Sequence, residues 1–152
     1  MGIGNDIKQK KFKSEYQKAG INLKFTVSQM DNDHYQLLKQ YDLTAPQFNI
    51  LRILRGQHPT ATTVNDLIDR MLDKASNASR IVEKLRSKGM VERHVNSTDR
   101  RAVDVSITSI GLELLSKIDE VEDQFYFGVG KLNAEEAAIL NQLLDKGRGS
   151  EI

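Results

Sequence analysis

The chain contains no cysteine and no long apolar run, and both absences narrow what it can be. Without cysteine it can form no disulfide, no thiolate zinc site and no cysteine-based redox sensor. No segment approaches the roughly 20 consecutive apolar residues that cross a bilayer, and the polar N-terminal segment lacks the apolar core of a signal peptide. We therefore expect a cytoplasmic protein.

Recognisable enzyme motifs are also missing from the sequence. It contains no nucleophile elbow, no phosphate-binding glycine loop, no zinc-binding histidine pair and no cofactor fingerprint. The three histidines, His34, His58 and His94, are scattered along the chain. Asp31, Asp33 and His34 are close enough in sequence to suggest a metal site, but polar residues on a solvated helix explain them better. We predict no catalytic site, no cofactor and no bound metal.

The charges are distributed unevenly along the 152 residues, a length that fits one domain with a substantial core. Although the formal net charge is only +1, residues 70–101 carry nine Lys or Arg against four Asp or Glu. Residues 104–152 carry ten acidic residues against four basic ones. A basic segment in an otherwise acidic chain suits a partner with a phosphate backbone, the alternative being a solvated helix face.

Residues 64–108 have the pattern of two helices followed by a β-hairpin. Thr63 can cap a short supporting helix, and a second helix begins near Ser76 and ends at Gly89. The runs MVERHV and AVDVSIT then alternate as strands do, and the polar tip NSTDRR joins them. This order predicts a winged helix-turn-helix, whose second helix enters the DNA major groove while the hairpin tip reaches the neighbouring backbone.

The candidate DNA-binding residues lie on the second helix and at the hairpin tip. Short polar residues followed by cations suit a helix whose first turn approaches base edges and whose later turns meet phosphates. An Asp two residues before an Arg can pair with it and direct it into a narrow minor groove. The alternatives are that Ser76 only caps the helix, that Asn77 is an ordinary surface residue and that the tip is an exposed loop. The predicted DNA-binding residues are Ser76, Asn77, Ser79, Arg80, Lys84, Asp99, Arg100 and Arg101.

Helical patterns flank this motif on both sides. Residues 13–39 repeat apolar positions at helical spacing, although Gly20 interrupts the pattern, and residues 1–12 look like a mobile basic arm. Because this amphipathic segment lies outside the motif, its apolar stripe must pack either on its own domain or on a second copy of the chain. Capping boxes are predicted for two further helices, at Thr44 with Gln47 and at Asn133 with Glu136.

The runs LTAPQFNILRIL, ASNASRIVEKLRSKGMVER, DRR and VDVSITSIG resemble the signature of the MarR family of bacterial transcriptional regulators. The resemblance extends over residues 43–115. It implies a triangular homodimer whose first and last helices interlock, with one winged helix per subunit on half of a pseudo-palindrome. It further implies that Asp99 orients Arg101 in the minor groove. Many members bind small aromatic or phenolic effectors between the dimer and DNA-binding regions, and this binding releases DNA.

We therefore predict a mainly α protein with a small β-hairpin wing. Residues 1–152 form a single MarR-like chain in which residues 43–108 are the winged helix and residues 13–40 and 109–146 are dimerisation helices. Its expected function is a homodimeric, sequence-specific regulator of double-stranded DNA, acting as a repressor, with release by a small aromatic or phenolic effector as a further expectation. The alternative is a winged-helix adaptor that makes protein contacts without sequence-specific DNA binding.

Overall fold

A computed structural model describes residues 2–99, 102–125 and 129–150, and these are mostly helical with one small sheet. They group into two compact units, one within residues 1–33 and 125–152 and the other within residues 34–124. The predicted fold class is therefore confirmed. The elements in chain order are α1 (Ile3–Asp6), α2 (Glu15–Lys39), α3 (Ala45–Gln57), β1 (Thr62–Thr63), α4 (Val64–Arg70), α5 (Ala78–Ser87), β2 (Val91–Val95), β3 (Val103–Ile107), α6 (Ser109–Phe125) and α7 (Ala134–Gly147).

Reciprocal side-chain caps determine where three of the helices begin. At the start of α3, Thr44 Oγ1 accepts a hydrogen bond from Gln47 N at 3.4 Å, and Gln47 Oε1 accepts one from Thr44 N at 3.0 Å. These bonds satisfy backbone N–H groups that have no partner within the helix. The predicted caps are therefore confirmed. The same arrangement starts α4 at Thr63 with Asp66 and α7 at Asn133 with Glu136.

The hairpin belongs to a three-stranded antiparallel sheet in which β3 lies between β1 and β2. In the β2–β3 pair Val91 lies opposite Ile107 and Val95 opposite Val103, so the predicted hairpin is confirmed. Strand β1 was not predicted, because two residues are too short to show alternation. Thr62 of this strand lies opposite Val105, which is fully buried. The third strand thus covers the open edge of β3.

The core of the unit within residues 34–124 forms behind α5. Helix α5 packs against α3, α4 and β2, and α3 also packs against β3. Because the inner side of α5 is enclosed from three directions, only its outer face is left for solvent or a ligand. The largest fully buried side chains are Leu38, Ile50, Leu51, Leu54, Leu67, Val82, Leu85, Val91, Val105, Leu115 and Ile118.

The structure corrects three details of the sequence interpretation. Helix α2 continues without a break through Gly20 for 25 residues. The helical spacing of Leu67, Ile68, Met71 and Leu72 predicts a longer supporting helix, but α4 ends at Arg70 and Leu72 is 89% exposed. The first twelve residues were expected to be an arm, yet they contain α1, and Ile3 is buried.

Helices long and apolar enough to cross a lipid bilayer do not occur in the part of the chain that the structure describes.

Helix α6 starts in tight contact with the base of the hairpin. A Cβ atom placed on Gly111 would lie 2.6 Å from Met90 O and 2.7 Å from Ile107 Cγ1. Met90 O also accepts a hydrogen bond from Thr108 N at 3.0 Å, so this backbone cannot easily move away. The absence of a side chain at Gly111 therefore lets α6 approach the sheet.

Substitution of Gly111 by alanine should destabilise the protein, because the added methyl group overlaps a carbonyl oxygen and a side chain. We expect the free energy of unfolding to fall by about 1–3 kcal/mol, measured by urea denaturation. The matched control is Gly56→Ala in α3, where a Cβ meets no atom within 4 Å. That change should stabilise by up to about 1 kcal/mol, since alanine favours the helix. Equal effects of the two substitutions would contradict the close approach.

Candidate nucleic-acid interface

A loop of residues 71–77 leads into α5 and is held by its own hydrogen bonds. Asp73 Oδ2 accepts a hydrogen bond from Ser76 Oγ at 2.6 Å, and Asp73 Oδ1 accepts one from Ala75 N at 3.0 Å. These two bonds, with the Ser76 bond the larger cause, lower the pKa of Asp73 below its ordinary value. Asp73 therefore stays ionised at neutral pH and fixes the turn immediately before α5.

Two further bonds attach this loop to its neighbours. The ammonium group of Lys74 donates to Ile68 O at 3.0 Å and also to Asp69 O, so it caps the carboxyl end of α4. The N–H group of Leu72 donates to Asn49 Oδ1 on α3 at 3.0 Å. The charged turn between α4 and α5 is therefore anchored to both α4 and α3.

The N-cap of α5 is Asn77, so the alternative interpretation that Ser76 caps this helix is wrong. Asn77 Oδ1 accepts a hydrogen bond from Arg80 N at 3.0 Å, whereas the Ser76 hydroxyl is half-buried and donates to Asp73. Both residue types cap helices well, so the sequence did not distinguish two adjacent candidates. Asn77 consequently has a structural role, and its exposed side chain retains an amide nitrogen for other contacts.

Helix α5 presents most of the predicted binding residues on its exposed side. Ala78, Val82 and Leu85 are at most 2% exposed and form the inner stripe. Asn77, Ser79, Arg80 and Lys84 are exposed, and Asn77, Arg80 and Lys84 follow one another by one helical turn. The structure therefore brings these three together on one flank, while Ser79 lies on the other flank of the outer face.

Two arginines, one on α5 and one on β2, form ion pairs within the protein. Glu83 on α5 pairs with Arg86 at 2.6 Å and with Arg93 on β2 at 3.0 Å. The two guanidinium groups, Arg86 first, lower the pKa of Glu83 below its ordinary value. The pair with Arg93 joins the helix to the hairpin, and both pairs reduce the positive charge available to a ligand.

Arg80 and Lys84 remain available. Lys88, at the end of α5, pairs with Asp42 at 2.8 Å, and its ammonium group also donates to Asp42 O. In contrast, neither Arg80 nor Lys84 makes an ion pair with any residue that the structure describes. The basic segment of the sequence thus divides into cations that stabilise the fold and cations that face outward.

Asn96 organises the described part of the hairpin tip. Its Oδ1 accepts hydrogen bonds from Thr98 N at 2.9 Å and Asp99 N at 2.8 Å, and its Nδ2 donates to Asp104 Oδ1 at 2.9 Å. This role of Asn96 was not predicted, although asparagine at the start of a turn is a recognised signal for it.

Asp99 lies at the exposed tip. The remaining predicted tip residues, Arg100 and Arg101, lie outside the described residues, so the orientation of Arg101 by Asp99 stays a prediction.

Helices α3 and α6 are tied by ion pairs that sequence reasoning missed. Asp119 Oδ1 lies 3.0 Å from Arg52 Nη1, and Asp119 Oδ2 lies 2.5 Å from Arg55 Nη1. The guanidinium carbon of Arg52 also lies 5.6 Å from the centroid of the Phe48 ring. More than 60 residues separate the partners in sequence, and no local sequence pattern predicts such a contact.

Asp31, Asp33 and His34 lie within α2. Within residues 2–99, 102–125 and 129–150, no three or more His, Asp or Glu side chains converge in a way that could hold a metal ion.

Comparison with known proteins gives consistent matches. A family profile described as the MarR family matches residues 41–102. The crystal structure of a MarR transcription factor from Planctomyces limnophilus is 32% identical, with a TM-score of 0.69, and the alignment covers 89% of this chain and 98% of that one. A cysteine-to-serine variant of Escherichia coli MarR complexed with operator DNA is 26% identical, with a TM-score of 0.73 and coverage of 96% and 98%.

A curated relative is the HTH-type transcriptional repressor IacR of Pseudomonas putida. It is 26% identical over 111 residues, and the alignment covers 72% of this chain and 65% of that protein. The matched region thus spans just under two thirds of IacR.

The turn between α4 and α5 is anchored, the inner side of α5 is buried, and the hairpin forms a wing. Together these features define a winged helix-turn-helix protein. The chain belongs to the MarR family of DNA-binding transcriptional regulators. The predicted family is confirmed, and this membership makes the chain a transcriptional regulator and not an enzyme.

Asn77→Ala should reduce the stability of the protein because it removes the acceptor that caps α5. We expect the free energy of unfolding to fall by about 1 kcal/mol. Asn77→Ser keeps a capping oxygen and should stay within a few tenths of a kcal/mol of the parent protein. Urea denaturation of both variants measures this difference, and equal losses of stability would argue against the cap. Competition binding with altered operator sequences then shows whether both variants change the preference of the protein among bases.

Proposed function

We propose that this protein is a homodimeric repressor that binds a pseudo-palindromic operator in double-stranded DNA, in the cytoplasm. One observation carries the proposal. Arg80 and Lys84 lie one turn apart on the outer flank of α5, without ion-pair partners among the described residues, on a helix whose inner side is fully buried. A rigid helix with free cations is suited to a major groove flanked by phosphates.

The proposed roles follow the order of residues along α5 and the wing. Asn77 and Ser79, in the first turn, approach base edges, while Arg80 and Lys84 meet phosphates. Ser76 acts with Asp73 to hold the preceding turn in place, since its hydroxyl donates to that carboxylate. At the wing, Asp99, Arg100 and Arg101 approach the minor groove, where negative potential is strongest.

Exposed apolar side chains in the unit of residues 1–33 and 125–152 support a homodimer. On α2, Tyr16 is 91%, Leu23 46% and Val27 51% exposed, at positions that share one helix face. On α7, Ile139 is 50% and Leu143 61% exposed, one turn apart. A second copy of the chain would cover these surfaces in a two-fold arrangement. We propose residues 13–40 and 109–146 as the dimerisation helices and residues 43–108 as the DNA-binding region.

The relatives support the regulatory role. The similar E. coli MarR was crystallised with operator DNA, and IacR is named a repressor. A two-fold dimer presents two recognition helices, which matches a site with two related halves about one helical turn apart. Release of the operator by a small aromatic or phenolic effector completes the proposal.

Lys84→Ala should weaken binding to any duplex and reduce its salt dependence, because one phosphate contact per subunit is lost. A plot of the logarithm of the binding constant against that of salt concentration should become shallower by roughly 1 for each contact removed. Fluorescence anisotropy with a genomic fragment measures both quantities. The control is Lys24→Ala on α2, an exposed lysine outside the DNA-binding region. An unchanged slope for Lys84→Ala would remove this residue from the interface.

Leu143→Glu should dissociate the homodimer, because it places a charge on an apolar surface that the partner covers. Analytical ultracentrifugation should show a dimer for the parent protein and a monomer for the variant at micromolar concentration. The control is Leu72→Glu, since Leu72 is also highly exposed but lies in the other unit. A monomeric parent protein, or a variant that remains dimeric, would contradict the proposed interface.

A further inference from the structure

Among the described residues of the hairpin tip, backbone hydrogen bonds are few. Strands β2 and β3 are paired as far as Val95 and Val103. Beyond that pair, Asn96 N donates to Ala102 O at 3.4 Å, and Ala102 N donates to Asp99 O at 3.0 Å. A loop with so few backbone bonds keeps much of its conformational freedom unless side chains restrict it. The shape of this tip therefore depends on side-chain contacts.

The side chain of Asn96 supplies such contacts. It is half-buried, and its Oδ1 accepts hydrogen bonds from the backbone N–H groups of both Thr98 and Asp99. An asparagine that accepts from backbone groups shortly after it mimics a backbone turn. Because Ala102 N is bonded to Asp99 O, these contacts hold both residues that flank the arginine pair of the tip in sequence.

Asp104 on β3 holds the other end of the Asn96 amide. His94 lies opposite Asp104 in the β2–β3 register, and Asn96 follows two residues after His94, on the same face of the hairpin. Asn96 Nδ2 donates to Asp104 Oδ1 at 2.9 Å, and the charge of a carboxylate acceptor strengthens such a bond. The carboxylate therefore determines which way the amide faces, with its oxygen toward the tip.

Position 96 requires an acceptor and a donor on one short side chain. Aspartate in place of Asn96 would keep an acceptor for the two tip amides, but its second oxygen would face the Asp104 carboxylate without a proton to share. Like charges at hydrogen-bond distance repel, and rotation of the side chain away from Asp104 would also break its bonds to the tip. Asn96 is thus matched to Asp104, and an exchange of the two residue types would restore the match.

We propose that Asn96 is a positioning residue for DNA binding by the wing, and that Asp104 holds it in that role. The amide of Asn96 is used within the hairpin, so it acts through Asp99 and the neighbouring arginines and not through a DNA contact of its own. A tip that already has its bound shape loses less conformational entropy when it enters a minor groove. This inference rests on the proposed function, because it requires the wing to contact DNA.

The test is a double-mutant cycle that exchanges the two residue types. Asn96→Asp creates the repulsion, and Asp104→Asn replaces the charged acceptor by a neutral one. The double variant reverses donor and acceptor and keeps the net charge of the parent protein. Fluorescence anisotropy measures affinity for a duplex that the parent protein selects from random DNA, and hydroxyl-radical footprinting maps the protected positions. Without DNA, NMR order parameters of the Thr98 and Asp99 amides measure the rigidity of the tip, and urea denaturation verifies the fold.

We expect Asn96→Asp to bind DNA at least about tenfold more weakly and to lose protection in the flanking minor groove, while the windows assigned to α5 stay protected at saturation. Asp104→Asn and the double variant should bind within about threefold of the parent protein, because each retains a hydrogen bond between the two side chains. The order parameters should be about 0.85 in the parent protein and the double variant, and below about 0.6 in Asn96→Asp.

Single effects that multiply to the effect of the double variant would show that added charge weakens binding, and this result would overturn the inference. Equal order parameters in all four proteins, or a loss of protection in Asn96→Asp that is the same at every position, would overturn it too. Four equal affinities would remove the positioning role and leave the proposed function intact. If the parent protein binds no duplex, the proposed function fails and the positioning role fails with it.

Discussion

Burial of the inner side of α5 is the constraint on which the rest of the structure depends. Ala78, Val82 and Leu85 are enclosed by α3, α4 and β2, and Leu85 is completely inaccessible. Removing a buried leucine side chain typically costs about 2–5 kcal/mol, whereas exposed ion pairs contribute little because water screens them. Apolar packing therefore decides which way α5 faces. Arg80 and Lys84 therefore face outward because the opposite side of α5 is packed, and not because of contacts that they make themselves.

The polar contacts around α5 refine this geometry. The carboxylate of Asp73 holds the turn before the helix, Asn77 caps its first turn, and Glu83 connects its middle to the hairpin through Arg93. Gly111 lets α6 close onto the base of the same hairpin. Helix and wing are thus fixed to one support, which is what simultaneous contact with two DNA grooves requires.

Local features of the structure were predictable from sequence, and long-range ones were not. The capping boxes at Thr44 and Asn133 and the β2–β3 hairpin follow from spacing of a few residues, so the sequence pattern contains them. The cap of α5 was misplaced by one residue because Ser76 and Asn77 are both good caps. The pairing of Asp119 with Arg52 and Arg55 and the pairing of β1 with β3 join segments far apart in the chain. Nothing in a local periodicity distinguishes these partners from other charged or polar residues.

The central claim is that two copies of the winged helix occupy one duplex side by side. Hydroxyl-radical footprinting tests it most directly, on a fragment selected by the protein from random DNA. We expect two protected windows on one face of the duplex, with centres about 10–10.5 base pairs apart, and weaker protection in the minor groove beyond each. A single protected window, with a stoichiometry of one chain per duplex, would contradict it.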